Sequence, residues 1–186
     1  NNPERVFSNT DMNSKAVKLK KKVKYEEFKV QDIFRIQNGR GITKDEIAEF
    51  PGNIEAIQSG ADNNAVLGKL DEEYCKQSHY QIIKEPCLSV ARSGTAGFVA
   101  YPETPCVIGD SAKALILKGK LKKSIYVYMY LRTVLMANKY KYAYGRKVTE
   151  EKYYKDTIVL PVVKKGVPDW KYMGDYIKQL PYGDKL

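Results

Sequence analysis

Residues 81–117 read QIIKEPCLSVARSGTAGFVAYPETPCVIGDSAKALIL. Short runs of Val, Ile, Leu, Cys and Phe are cut here by Ser93-Gly94, Ala96-Gly97, Pro102, Pro105 and Gly109. Proline removes a ladder donor and glycine accommodates turn backbone, so the runs predict a series of brief strands rather than helices. Strands this short predict a partly closed sheet. Between two of them, Arg92-Ser93-Gly94-Thr95 forms a polar tip that can carry a guanidinium and two hydroxyls to a ligand; a plain hairpin turn accounts for the same residues.

Upstream, Phe28, Val30, Ile33, Phe34 and Ile36 predict a short strand running into a turn at Asn38-Gly39-Arg40-Gly41. Thr43 and Glu46 have the spacing of a capping box ahead of Ile47, Ala48 and Phe50, which predicts a helix stopped by Pro51-Gly52. Residues 54–57 read as a strand, and Gln58-Ser59-Gly60-Ala61-Asp62-Asn63-Asn64 as an exposed loop. Downstream, residues 121–138 hold Ile125, Val127, Tyr128, Met129, Leu131, Val134, Leu135 and Met136 without Gly or Pro, predicting a largely buried helix. A short helix near 150–154 and a strand over 157–163 follow. Asp169, preceded by Pro168, caps a last helix over 169–180 that Pro181-Tyr182-Gly183 ends. These elements make the fold class α/β (α+β).

The 186 residues suffice for one buried core. Residues 1–24 read as a basic polar arm or linker, with six lysines between Lys15 and Lys24 and no acidic residue among them, and residues 25–186 as the domain. A net charge of +10 favours polyanions. No apolar run is long enough to span a bilayer and no signal-peptide core is visible, so the expectation is a cytoplasmic protein that does not engage membranes. Cys75, Cys87 and Cys106 are widely spaced and odd in number, predicting buried reduced thiols.

Catalysis requires a constellation, and the sequence presents none. His79 is the sole histidine; GxSxG, P-loop and HExxH patterns are missing. Glu150-Glu151-Lys152 has the ExK form of some metal-dependent nucleases, but the only Pro-Asp pair, Pro168-Asp169, lies after it. No catalytic residue, metal ligand or cofactor is assigned to the chain.

Recognition chemistry is present instead. Asn138-Lys139-Tyr140-Lys141-Tyr142-Ala143-Tyr144-Gly145-Arg146-Lys147 alternates cations with aromatic rings. Lys and Arg neutralise phosphates, and Arg makes bidentate contacts to guanine in the major groove. The same tyrosines also suit a surface that closes the preceding helix. Gln58, Asn63 and Asn64 carry amides suited to adenine. The DNA-binding candidates are Arg40, Lys44, Gln58, Ser59, Asn63, Asn64, Arg92, Ser93, Thr95, Lys113, Lys141, Tyr142, Tyr144, Gly145, Arg146 and Lys147.

Taken in order, several segments resemble the target-recognition domain of type I restriction-modification specificity subunits and of related fused restriction-methylation enzymes. They are the apolar run 28–34 before Asn38-Gly39, Pro51-Gly52 before 54–59, Asn63-Asn64, Ser93-Gly94-Thr95-Ala96-Gly97 before Tyr101, and Asp110. The Tyr142–Lys147 loop, Ile158-Val159-Leu160-Pro161 and the tail Pro168-Asp169-Trp170-Lys171-Tyr172-Met173 through Leu180-Pro181-Tyr182-Gly183-Asp184 continue the series. The resemblance implies an α/β target-recognition-domain fold, a curved, partly closed mixed sheet with flanking helices, that presents loops to the major groove of double-stranded DNA. It further implies a partner methyltransferase that modifies adenine with S-adenosylmethionine, often a nuclease, and a second recognition domain or a dimer. A basic protein of single-stranded nucleic acid, such as RNA, is the alternative reading of the Tyr and Lys residues.

Overall fold

The computed structural model describes residues 22–119, 124–142 and 147–186, except the side chain of Asp184. The lysine-rich arm over residues 1–21 lies outside them, as do Ala143, Tyr144, Gly145 and Arg146. Strand β1 (Lys24–Lys29) turns through the single-turn helix α1 (Val30–Ile33) into β2 (Phe34–Asn38). Helix α2 (Lys44–Glu49), strands β3 (Pro51–Ile57) and β4 (Val66–Leu70) and helix α3 (Glu72–Gln77) follow. The 81–117 region then yields β5 (Leu88–Ala91), β6 (Val99–Ala100), β7 (Cys106–Ile108) and β8 (Ala112–Leu117). Helix α4 (Ile125–Ala137), helix α5 (Glu150–Lys155), β9 (Thr157–Lys164), β10 (Val167–Pro168) and helix α6 (Trp170–Gln179) complete the order.

The strands pair as three sheets, β1-β9-β10, β2-β8-β5-β6 and β4-β3-β7, rather than as one partly closed sheet. The arrangement is mixed, because β3 runs antiparallel to β4 and parallel to β7. All six residues of β8 are buried, which is possible only for a strand covered on both faces. Leu115 and Leu117 point into a core with Phe34, Leu88, Val90, Tyr128, Leu131, Leu160 and Met173, contributed by β2, β5, α4, β9 and α6. Ala112, Ala114 and Ile116 point the other way, against Ile57, Cys106 and Ile108 of the β4-β3-β7 sheet. Burial of each large aliphatic side chain here contributes about 1.5–3 kcal/mol, so β8 is the strut between the two layers. A third cluster, Ile42, Ile54, Ala56, Leu70, Cys75, Tyr80 and Val107, is covered by side chains of α2 and α3. All three cysteines are buried and free.

Local signals explain the helix starts. The Thr43 hydroxyl accepts the Glu46 N–H while the Glu46 carboxylate accepts the Thr43 N–H at 2.7 Å, forming both halves of the expected capping box. Ser124, Thr149 and Asp169 cap α4, α5 and α6, each with one side-chain oxygen accepting a first-turn N–H. Pro51-Gly52 follows the end of α2, as expected, and also opens β3. β4 and α3 were not expected; α3 is capped by Asp71, which accepts the Tyr74 N–H at 2.9 Å.

Candidate nucleic-acid interface

Four chain segments that follow or precede core strands meet along one polar ridge. The first leaves β2 at Asn38 and passes through Gly39 and Arg40. A Cβ at Gly39 would lie 2.0 Å from the Gly109 carbonyl oxygen, so only glycine allows this segment to press on residues 108–109. Arg40 N–H donates to the Ile108 carbonyl at 3.0 Å. Gly109 meets the same demand from the other side: a Cβ there would lie 2.7 Å from Gln58 Cγ, and its N–H donates to the Ile57 carbonyl at 2.7 Å. The second segment, at the end of β3, is thereby stacked on the third, residues 109–111. Ser59 N–H donates to the Ser111 hydroxyl at 3.0 Å, and Gln58 Nε2 donates to the Ile42 carbonyl at 2.5 Å.

The fourth segment follows β5. Arg92 N–H donates to the Ser111 carbonyl at 2.7 Å and its guanidinium to the Asp110 carbonyl at 3.3 Å. Val148 N–H in turn donates to the Arg92 carbonyl at 3.0 Å, which brings exposed Lys147 to the same ridge. The result is a run of cross-braced backbone offering Arg40, Gln58, Ser59, Arg92 and Lys147, with Arg40, Arg92 and Lys147 exposed. Guanidinium groups fixed in this way suit a polyanion bearing hydrogen-bond acceptors, because little side-chain and loop entropy is lost on contact.

Arg40 is supported from beneath. Its guanidinium donates to the Ser78 carbonyl at 2.5 Å and lies 5.7 Å from the centre of the Tyr80 ring. The Tyr80 hydroxyl sits 2.8 Å from both the Gly41 carbonyl and the Glu46 carboxylate, and the Tyr74 hydroxyl donates to the same carboxylate at 2.8 Å. Desolvation pushes the Glu46 carboxyl up, but the Thr43 backbone, Tyr80, Tyr74 and the Thr43 hydroxyl outweigh it and hold the pKa at about 2.

Lys113, by contrast, is buried at 8% exposure. Its ammonium donates to Asn38 Oδ1, and Asn38 Nδ2 donates to the Glu150 carboxylate at 2.7 Å. Burial pulls the Lys113 pKa below the usual lysine range; Glu150 opposes that shift and Arg92 adds to it. Asn38 and Glu150 were not among the expected site residues, and neither were Asp110 and Ser111. A polar Gly109-Asp110-Ser111 tripeptide wedged between two apolar strands was the one signal able to reveal the latter pair.

Several candidates belong to the framework instead. Asn64 faces solvent, but its amide spans the Tyr101 backbone: Oδ1 accepts the N–H at 3.3 Å and Nδ2 donates to the carbonyl at 2.5 Å. Asn63 Nδ2 donates to the Val66 carbonyl at 3.2 Å, and both asparagines hold left-handed backbone, φ 45° and 51°. Tyr142 is 7% exposed, tilted against Tyr153 with ring centres 5.5 Å apart, and donates to Asp156 at 2.9 Å. This geometry corrects the expectation of a surface tyrosine, since its ring lies within the core. Lys141 pairs with the other Asp156 oxygen at 2.6 Å. The Thr95 hydroxyl is buried without a hydrogen-bond partner among the described residues, Ser93 is half-buried, and Lys44 is an exposed first residue of α2. Among the described residues no three His, Cys, Asp or Glu side chains cluster to hold a metal, and no helix is long and apolar enough to cross a membrane.

A family model described as the type I restriction modification DNA specificity domain matches residues 22–182. The chain belongs to that family. Over 160 residues the specificity domain is 28% identical to the type II restriction enzyme specificity subunit S.BcgI of Heyndrickxia coagulans, a match covering 86% of this chain and 44% of that protein. Its fold is similar to that of the type I restriction-modification S subunit from M. genitalium, with a TM-score of 0.65 at 16% identity over 87% of this chain and 40% of the other. The HsdS subunit from Thermoanaerobacter tengcongensis gives 0.58 at 15% identity, over 83% and 37%. The specificity domain thus spans less than half the length of these relatives, and the likeness to the two structures is one of fold, the target-recognition-domain fold.

Proposed function

We propose that this specificity domain reads a short sequence of double-stranded DNA and directs a partner methyltransferase to it. The observation that carries the reading is the braced ridge, on which Arg40, Arg92 and Lys147 stand exposed beside Gln58 and Ser59 in a chain of net charge +10. Arg40 and Arg92 are the base readers, since a guanidinium fits the O6 and N7 acceptors of guanine. Lys147 and Lys44 hold phosphates. The domain itself performs no catalysis. The partner modifies adenine with its own S-adenosylmethionine, and a nuclease module accompanies it in some assemblies. A second recognition domain, or a second copy of this one, reads the other half of the target.

Selection of bound duplexes from a random pool tests the reading. One short motif is expected to dominate, with each good bidentate contact worth about 1–3 kcal/mol of discrimination and with affinity falling steeply as salt rises. Equal affinity for every duplex, or a preference for single strands, would overturn it.

A further inference from the structure

Lys113 is a misplaced residue by the logic of its strand. Alternation along β8 puts it on the same face as Leu115 and Leu117, which fill the main core, and it is 8% exposed. It lies opposite Asn38 on β2 and opposite Val90 on β5, so backbone closes it in on both sides. A buried ammonium is expensive, and an apolar side chain of similar volume serves stability at least as well. Stability therefore does not account for it.

We propose that Lys113 is a positioning residue for sequence reading, the centre of an Asn38, Lys113 and Glu150 link that sets where Arg40, Arg92 and Lys147 stand relative to one another. The connections are short. Asn38, which accepts from Lys113 and donates to Glu150, is two residues before Arg40. Glu150 opens α5 three residues after Lys147, in the segment whose Val148 N–H donates to the Arg92 carbonyl. Lys113 thus joins the segment that leaves β2 to the one that enters α5.

The proposal rests on the DNA reading above, and its test keeps the two apart. Lys113→Met, Asn38→Ala and Glu150→Gln are made in the full chain. Each is titrated, across a salt series, with a duplex that the unaltered chain selects from a random pool and with a scrambled duplex of equal composition. Amide hydrogen exchange over residues 39–42 is followed without DNA. Each variant is expected to lose about tenfold in affinity for the selected duplex, to keep its affinity for the scrambled one and its salt slope, and to exchange faster over 39–42. If Lys113→Met lowers the salt slope by about 0.9, Lys113 touches a phosphate directly and the proposal fails. Unchanged discrimination and exchange in Asn38→Ala and Glu150→Gln also overturn it, and these two carry the test if Lys113→Met does not fold. Should the unaltered chain discriminate no duplexes, the DNA reading fails, and the exchange measurement alone decides whether the link holds the segment.

Discussion

Residues 138–142 and the ridge of Arg40, Gln58, Arg92 and Ser111 both hold side chains suited to nucleic acid, yet the fold treats them oppositely. In the first, Lys141 and Tyr142 are drawn onto the two oxygens of Asp156, and the Tyr142 ring enters the core beside Tyr153. In the second, backbone groups make most of the braces, so the Arg40 and Arg92 side chains remain at the surface. Composition tells what a segment is able to contact; whether its neighbours consume that capacity decides what it offers.

The largest expected effect breaks the comparison at its first member. Tyr142→Ala removes a buried aromatic ring and the Tyr142 donor to one Asp156 oxygen, and is expected to destabilise the domain by about 3–5 kcal/mol in chemical denaturation. Tyr142→Phe, which keeps the ring, is expected to lose about 1–2 kcal/mol and to bind duplexes as the unaltered chain does. A stable Tyr142→Ala with weakened binding would place this tyrosine at the interface after all. Next in size is Arg92→Ala. Because the Arg92 backbone carries the braces to Ser111 and Val148, the fold survives, and the discrimination between selected and scrambled duplexes is expected to shrink by about 1–3 kcal/mol. Selectivity that survives the change removes Arg92 from the reading set.

Legibility in the sequence follows the range of the physics involved. Capping is local, so Thr43 with Glu46, and Asp169 before Trp170, mark α2 and the start of α6 from their own neighbourhoods. The interrupted apolar runs over 81–117 likewise become β5 to β8. β4 escaped notice because Val66, Leu67, Gly68 and Lys69 lack a clean alternation, and its pairing with β3 supplies the order that its own residues do not. Division into three sheets is a matter of long-range pairing, as in the parallel contact of β3 with β7, and no local pattern encodes it. The same holds for the site. Arg40 and Arg92 are legible as polar residues at turns, whereas Asn38, Glu150 and the fates of Asn64 and Tyr142 depend on partners 37, 112 or 14 residues away in the chain.

Lys147 sharpens the division of labour along the ridge. It is exposed and belongs to the segment tied to Arg92, a position suited to phosphate rather than to a base edge. Lys147→Ala is expected to weaken binding to selected and scrambled duplexes alike, a few-fold at moderate salt, and to lower the slope of log affinity against log salt by about 0.9. A loss confined to the selected duplex would make it a base reader.

The smallest effect concerns the ground beneath Arg40. The Glu46 carboxyl, with a pKa of about 2 in the folded chain against 4.5 ordinarily, stabilises the fold at every pH above its unfolded value. That contribution is lost as pH falls from about 4.5 towards 2, because protonation removes acceptors from the Thr43 N–H and the two tyrosine hydroxyls. After allowance for solvent screening it amounts to about 0.5–1 kcal/mol. Denaturation of the unaltered chain and of Glu46→Gln, compared from pH 7 down to pH 3, is expected to show a stability gap that narrows below pH 4.5, since the amide does not titrate. A gap of constant width would mean that the carboxylate charge does not hold this corner, leaving the Ser78 carbonyl and the Tyr80 ring as the supports of Arg40.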